Sequence, residues 1–290
     1  MAFRNKIDNI LLTGSGGFIG RYVNNALTKD YHILAPKSTE LNLLDKTQVE
    51  KYLIKNNIDL IIHLACCGVR ILPNDTNMNV AKPNIQMFNN LADSDIPMIV
   101  TGSGAEYDKS KPLKKVKEDD FGKSIPNDPY GYSKYIIAKE IEKRDNILNL
   151  RLFGIYGAGE DKSRVTSCII NDYLAHRPIM LNQNVKYDFM YIDDFCNVLK
   201  FFIEHDTEEK FINVSPTHSI EIMELADIVN TFSDHKSSIV FRNNGMNNEY
   251  TGDNTKLTSI MPKIKFTSYE DGMKKMYDVM KNVDIIKKCR

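Results

Sequence analysis

The sequence predicts an α/β fold in which a parallel sheet flanked by helices is followed by a smaller mixed α/β lobe. Three observations predict it. A short apolar run, Ile10-Leu11-Leu12, enters a Gly-rich turn that opens an apolar helical stripe. Strand-length apolar runs and helix-length patterns then alternate as far as Phe153. Beyond Gly154 the runs shorten and their order becomes mixed. Residues 1–155 are read as one domain, and residues 156–290 as mainly a second lobe with segments returning to the first.

Element by element, Phe18, Ile19, Tyr22, Val23 and Leu27 recur at helical spacing behind the turn. Residues 31–34 form a second strand. Asp45 and Gln48 make a capping box for a helix whose buried stripe is Val49, Leu53 and Ile54. Residues 59–64 are apolar enough for a strand covered on both faces, with His63 as a hydrogen-bonded core residue and Cys66 and Cys67 as small buried packers. A helix over 78–92 carries Pro83 in its early part. A strand over 97–101, a helix over 130–144 with Ile136, Ile137 and Ile141 on its apolar face, and a strand over 148–153 complete the βαβ series. In the second lobe the pattern predicts a polar loop over 155–164 and a helix over 165–176. Short strands follow at 179–181 and 185–189. A helix over 191–204, with Asp193 and Asp194 as favourable first-turn charges, leads to a strand at 211–214. Ser219 caps a helix reaching Asn230, residues 243–254 form a polar loop, and 269–280 form a last helix.

Composition narrows the function. Lys and Arg number 38, matching 38 Asp and Glu, so the basic excess of a dedicated nucleic-acid binder is missing. The five cysteines make no CxxC pair and the histidines no HExxH, so neither a disulfide scaffold nor a metal site is expected. The N-terminal segment has no apolar run, which points to a cytoplasmic protein without a membrane partner.

The Gly-rich turn reads Thr13-Gly14-Ser15-Gly16-Gly17-Phe18-Ile19-Gly20. Glycines there remove Cβ atoms where backbone approaches a pyrophosphate and where helix approaches strand. The helix N-terminus offers free N–H groups to phosphate. Between a buried strand and an apolar helix, this is a dinucleotide site of Rossmann type. The second strand ends Ala35-Pro36-Lys37-Ser38 with no carboxylate for a ribose diol. Lys37 and Ser38 suit a 2′-phosphate instead, so NADP is preferred and NAD is the alternative, with Glu40 the nearest carboxylate.

Tyr130 and Lys134 stand four apart and share a helix face. A nearby ammonium makes the phenolate more accessible, so Tyr130 can exchange a proton with a carbinol or carbonyl oxygen while hydride moves. Tyr132 is a rival by proximity, but the offset to Lys134 favours Tyr130. Ser103 follows an apolar strand, at the end where an open α/β sheet gathers its chemistry.

These pieces together resemble the extended short-chain dehydrogenase/reductase family, in the branch that acts on nucleotide-linked sugars. The matching segments are TGSGGFIG at 13–20, HLA at 63–65, SGAEY at 103–107, PYGYSK at 129–134, LRLFGIYG at 150–157 and DFMYIDD at 188–194. The resemblance implies that Ser103, Tyr130 and Lys134 form the catalytic trio. It also implies that Leu64, Ala65 and Asn79 join the Gly loop in holding the cofactor. The second lobe would then bind a nucleotide diphosphate-linked sugar, with Arg164, Asn182, Gln183, Lys186 and Arg242 as candidate contacts. Dimerisation through helices flanking the sheet is a further implication.

Departures from the family narrow the reaction. Dehydratases of the family carry Thr-Asp-Glu where this chain has Ser103-Gly104-Ala105, and Glu106 is one position off. The segment 39–46 is similar to the bifunctional GDP-fucose synthases, whose epimerisation uses a cysteine two residues after the serine and a histidine in the second lobe. Here those positions hold Ala105 and Arg164. Alanine carries no proton and arginine does not release one. The reading is therefore NADPH-dependent reduction of the C4 ketone of a nucleotide-linked deoxy sugar or heptose, without C3/C5 epimerisation. An NAD-dependent 4-epimerase is the alternative, and a catalytically silent NADP-binding regulator is a third reading.

Overall fold

The computed structural model describes residues 7–67 and 80–288. The first part of the chain runs β1 (Asn9–Thr13), α1 (Phe18–Leu27), β2 (His32–Leu34), α2 (Lys46–Lys55), β3 (Leu60–His63), α3 (Ala81–Ala92) and β4 (Met98–Ser103). A short strand, β5 (Leu113–Val116), precedes α4 (Pro129–Glu142) and β6 (Ile147–Leu152). The second part continues with β7 (Gly154–Tyr156), α5 (Val165–Leu174), β8 (Ile179–Leu181), β9 (Lys186–Tyr187) and β10 (Phe189–Tyr191). It ends with α6 (Ile192–Glu204), β11 (Phe211–Val214), β12 (Ile220–Glu221), α7 (Ile222–Asn230), β13 (Ile239–Phe241), β14 (Tyr250–Gly252), α8 (Thr255–Ile260) and α9 (Tyr269–Lys288).

Six strands form the main sheet in the order β2-β1-β3-β4-β6-β11, and every pairing is parallel. Both faces are covered, as the sequence predicts. Ile10, Leu12, Leu60, Ile62, Ile99 and Leu150 pack on one side with α1 and α6. Leu11, Ile61, Met98 and Val100 alternate to the other side, against α2, α3 and α4. The order reverses at β1, so a crevice opens where the C-terminal ends of β1 and β3 diverge. The edge strand β11 lies past residue 155 yet closes the first sheet against β6. Among the described residues, no helix is long and apolar enough to cross a membrane.

The second lobe holds more strand than its composition suggests. The predicted loop 155–164 begins as β7, whose Ile155 and Tyr156 are buried and pair with β10. The predicted loop 243–254 contains β14, which pairs with β5 and β9. The segment 185–189 divides into β9 and the start of β10, which join different sheets. Neither β5, β13 nor α8 has a sequence signal, because LKKV, IVF and TKLTSI are short and mostly half-exposed. Ile54 is 79% exposed, so it drops out of the stripe of α2. Asp45 does cap that helix, accepting from the Gln48 amide at 3.0 Å, but Gln48 bonds the Asn42 amide rather than completing a box. Ser219 is not a cap, since α7 starts behind Glu221. Asp194 ties α6 to the chain before α9, accepting from the Thr267 amide at 2.8 Å and its hydroxyl at 2.9 Å.

At the crevice, polar side chains lock strand ends together. Thr13 Oγ1 lies 2.8 Å from His63 Nδ1 and accepts from the Ala65 amide at 3.3 Å. Burial, with help from the Lys134 ammonium, pushes the His63 imidazole down to about 3. The unfolded chain therefore takes a proton near pH 6.5 while the fold refuses it until about pH 3. Within that window the unfolded state holds more protons, so stability falls as pH falls. Denaturant titrations across the window are expected to show this loss in the wild type and a flatter profile in His63→Asn. Equal slopes would contradict it.

Candidate active site

The Gly loop follows β1 and packs against the chain leaving β3. Gly14 has a φ of +73°, and a Cβ on it would lie 2.7 Å from the Ala65 backbone nitrogen. A Cβ on Gly20 would lie 2.1 Å from Gly14 O, so the first turn of α1 can sit on the loop only with glycine there. Gly17 accommodates the same carbonyl at 3.3 Å, and Gly16 has nothing within 4 Å. Gly17 is the N-cap of α1 and makes no side-chain cap, which leaves the first helical amides for a ligand. Arg21 braces the loop, donating to Gly16 O and to Gly159 O of the second lobe, both at 2.9 Å. Tyr22 adds a bond to Ala158 O at 2.9 Å.

Ser103 ends β4 and starts a 3-10 turn, Gly104–Tyr107. Its amide donates to Glu106 Oε1 at 3.0 Å, and its Oγ accepts from the Ala105 amide at 3.1 Å. Glu106 is fully buried and accepts from Arg151 Nε at 2.6 Å. Arg151 also donates to Tyr107 Oη at 2.9 Å, which in turn donates to Asn213 Oδ1 at 2.7 Å. Tyr107 is therefore buried with the arginine and is absent from the cleft lining.

Helix α4 begins cleanly because Pro129 occupies its first turn and Asp128 caps the Gly131 amide at 3.0 Å. Tyr130 and Lys134 then fall one turn apart. The buried Lys134 donates to Thr101 O at 2.7 Å, and its Nζ is 6.0 Å from the centre of the Tyr130 ring. Burial raises the Tyr130 pKa, while Lys134 and, more weakly, Ser103 pull against it. Burial works against the Lys134 ammonium, yet Cys66, Tyr130 and Glu106 leave its pKa raised.

A cleft of about 880 Å³ joins these pieces. It is lined by Gly14, Gly17, Phe18, Ile19, Gly20, Leu64 and Ala65, by Ser103, Tyr130 and Lys134, and by Ala105 and Arg164. Tyr132 does not line it, nor do Gly16, Lys37, Ser38, Asn182, Gln183, Lys186 and Arg242. Asn79 lies outside the described residues. Lys37 and Ser38 are exposed at the β2 end, where Glu40 turns back to accept from the Lys37 amide at 2.7 Å. Gln183 donates to Asn244 O at 3.1 Å, and Asn182 O accepts from the Asn243 amide at 2.9 Å, so these two hold a loop.

Several lining residues escaped the sequence reading. Cys66 reaches the cleft half-buried and Cys67 is exposed, so neither is a core packer. Lys109 lies 6.0 Å from the Tyr130 ring centre and pairs with Asp128 at 3.4 Å. Phe153, Tyr187 and Tyr250 build an aromatic wall, Tyr187 and Tyr250 stacking at 4.7 Å and 22°. Tyr187 immediately precedes the quoted segment DFMYIDD, but nothing in NNEYTG marks Tyr250 for the cleft.

The chain matches the description "NAD dependent epimerase/dehydratase family" over residues 10–215. It is 25% identical to the ADP-L-glycero-D-manno-heptose-6-epimerase of Cupriavidus pinatubonensis, covering 76% of this chain and 76% of that protein. It is 24% identical to the dTDP-4-dehydro-6-deoxyglucose reductase of Escherichia coli, covering 81% and 85%. A GDP-L-fucose synthetase from Naegleria fowleri bound to NADP shares the fold, with a TM-score of 0.80 at 16% identity over 98% of this chain and 95% of that one.

The two glycines give a paired prediction. Gly20→Ala is expected to destabilise the fold by about 1–3 kcal/mol through overpacking and to weaken binding of the nicotinamide dinucleotide, NADH or NADPH, whereas Gly16→Ala leaves stability within about 0.5 kcal/mol. Denaturant midpoints and cofactor fluorescence check both.

Proposed function

Because the chain belongs to the NAD dependent epimerase/dehydratase family, we propose that it uses NADPH to reduce the C4 ketone of a nucleotide diphosphate-linked deoxy sugar or heptose, leaving C3 and C5 untouched. One observation carries the reading. The cleft that brings Tyr130, Lys134 and Ser103 to the Gly loop is also lined by Ala105 and Arg164, the two residues that the resemblance to fucose synthases sets where carbon epimerisation needs a base and an acid. That the E. coli relative is a 4-dehydro-6-deoxyglucose reductase agrees with it.

The residues fit a dinucleotide. The uncapped start of α1 and the glycine cradle suit a pyrophosphate, and the β2 end offers Lys37 and Ser38 with no free carboxylate beside them, since Glu40 is turned onto the Lys37 amide. Lys37 and Ser38 would hold a 2′-phosphate, which supports NADP over NAD. When bound, the nicotinamide supplies hydride to the carbonyl carbon. Tyr130 donates its phenolic proton to the carbonyl oxygen as negative charge develops there. Lys134 carries the compensating charge beside the phenolate, held in place by Thr101 O. Ser103 hydrogen-bonds the same oxygen and orients it. Arg164, at the cleft wall, is placed to meet a diphosphate.

Purified protein with NADPH or NADH and a panel of GDP-, CDP-, dTDP- and UDP-linked 4-keto sugars tests the reading. Consumption of NADPH with a reduced product by NMR is expected. Interconversion of ordinary nucleotide hexoses with no consumption of reduced cofactor would establish the epimerase instead. Tyr130→Phe is expected to lower kcat by about 10²–10⁴-fold with NADPH binding unchanged. Reduction needs the protonated phenol, so its rate is expected to hold through neutral pH and fall as pH rises through the raised Tyr130 pKa.

A further inference from the structure

We propose that Tyr250 is a positioning residue of the reaction centre: its hydroxyl donates to Ser103 Oγ and so turns the serine's own proton toward Tyr130 and the sugar oxygen. This rests on the reading above, in which Tyr130 moves the proton.

Tyr250 comes from the second lobe, 147 positions beyond Ser103 in the chain (250 minus 103). It opens β14, paired with Leu113 of β5 on one side and Tyr187 of β9 on the other. Its ring stacks on Tyr187 at 4.7 Å and meets Phe153 at 5.3 Å. Two strands fix its backbone and two rings fix its side chain, which leaves the hydroxyl little freedom to swing. That hydroxyl presses on the residue after the serine. A Cβ on Gly104 would lie 2.6 Å from Tyr250 Oη, so the phenol reaches this point only because position 104 is glycine. Tyr250 lines the cleft with Ser103, Ala105 and Tyr130.

Proton counting gives the contact its meaning. A serine hydroxyl has one proton and two lone pairs. One lone pair of Ser103 is taken by the Ala105 amide at 3.1 Å. Both phenols, Tyr250 and Tyr130, line the cleft with Ser103 and are near enough for its hydroxyl to lower the pKa of each. With the Tyr250 O–H on the second lone pair, the serine proton has one direction left, toward Tyr130. The two phenols are suited to different parts. Burial holds the Tyr250 pKa well above the ordinary tyrosine value, so it stays a donor. Tyr130 is buried too, but the Lys134 ammonium favours its ionised form. Tyr250 thus brings the second lobe into contact with the catalytic serine without itself exchanging a proton.

Tyr250→Phe keeps the ring and its stacking and removes only the hydroxyl. Ionisation of Tyr130 is read as the difference in phenolate absorbance between each protein and its Tyr130→Phe counterpart, a measurement that needs no sugar. In Tyr250→Phe the serine proton is no longer pinned, the Tyr130 phenolate loses a donor, and its titration is expected to move up by about half a pH unit or more. In a Ser103→Ala background the same substitution is expected to move nothing, because the effect runs through the serine. With the reducible sugar, kcat is expected to fall about tenfold while KM for NADPH stays fixed, and that loss too should vanish in Ser103→Ala. An unmoved Tyr130 titration in Tyr250→Phe, or an equal shift in both backgrounds, overturns the proposal. A wild-type protein that reduces none of the panel sugars overturns the proposed function instead, and the titration still decides the role of Tyr250.

Discussion

The Glu106 carboxylate is fully buried and meets Arg151 Nε at 2.6 Å, and the C-terminal end of β4 is arranged around compensating that charge. Removing two ions from water costs several kcal/mol each, which only close geometry and further hydrogen bonds offset. Both are present. The guanidinium lies 4.6 Å from the ring centres of Phe121 and Phe211 and 5.0 Å from that of Tyr107. The second carboxylate oxygen accepts from the Ser103 amide at 3.0 Å, and Asn149 Nδ2 reaches both oxygens at 3.3 Å. Space for the carboxylate exists because a Cβ on Gly102 would lie 2.3 Å from Glu106 Oε1. The small residues around the serine are thus the room that an ion pair needs directly beside the candidate active site. Losing either ion would leave the other buried and uncompensated, a penalty of about 3–5 kcal/mol, so serine position and fold stability are coupled.

A second electrostatic arrangement sits one strand away. Lys134 is buried with its ammonium on Thr101 O, while His63, also buried and near enough to feel that charge, stays neutral. Two cations in one low-dielectric region would repel, and the imidazole yields because it releases its proton far more readily than the ammonium does. The lysine keeps its charge because Tyr130, Cys66 and Glu106 favour it more than burial penalises it. A positive charge is thereby reserved for the phenol, and the neighbouring strand supplies hydrogen-bonding groups that do not compete for it.

The first half of the fold was legible because its signals are local. Each buried strand is a continuous apolar run, each flanking helix follows at once, and the glycine turn lies between two of them. The trio was legible for the same reason, since Ser103 ends a strand and Tyr130 and Lys134 share one helix turn. The second lobe was not. β7 is three residues attached to the polar stretch after Tyr156, and β14 is three residues inside a run of Asn, Glu and Asp. Their strand character comes from partners 30 to 140 positions away, such as Phe189 for Gly154 and Leu113 for Tyr250. Glu160 looked like a loop charge, yet it is buried and accepts from the amide and hydroxyl of Ser167, both at 3.1 Å. For those strands no window of neighbouring residues contains the information.

The same non-local assembly locates where the scaffold can vary its chemistry. The Gly loop, Ser103, Tyr130 and Lys134 are held by one sheet and its adjoining helix, so their spacing follows from strand register. The opposite wall is carried by short strands whose partners include β5, itself an insertion between β4 and α4. Those strands are joined to the first lobe by β11 at the sheet edge and by the Arg21 and Tyr22 bonds to Gly159 and Ala158. The gap between cofactor loop and aromatic wall is therefore set by backbone pairing, which side-chain changes in the wall leave alone. Under the proposed function, substitutions at Ala105, Arg164, Tyr187 or Tyr250 change which sugar fits and which carbon can lose a proton without moving the cofactor loop. On that reading one trio serves either reduction or epimerisation, and the wall decides between them.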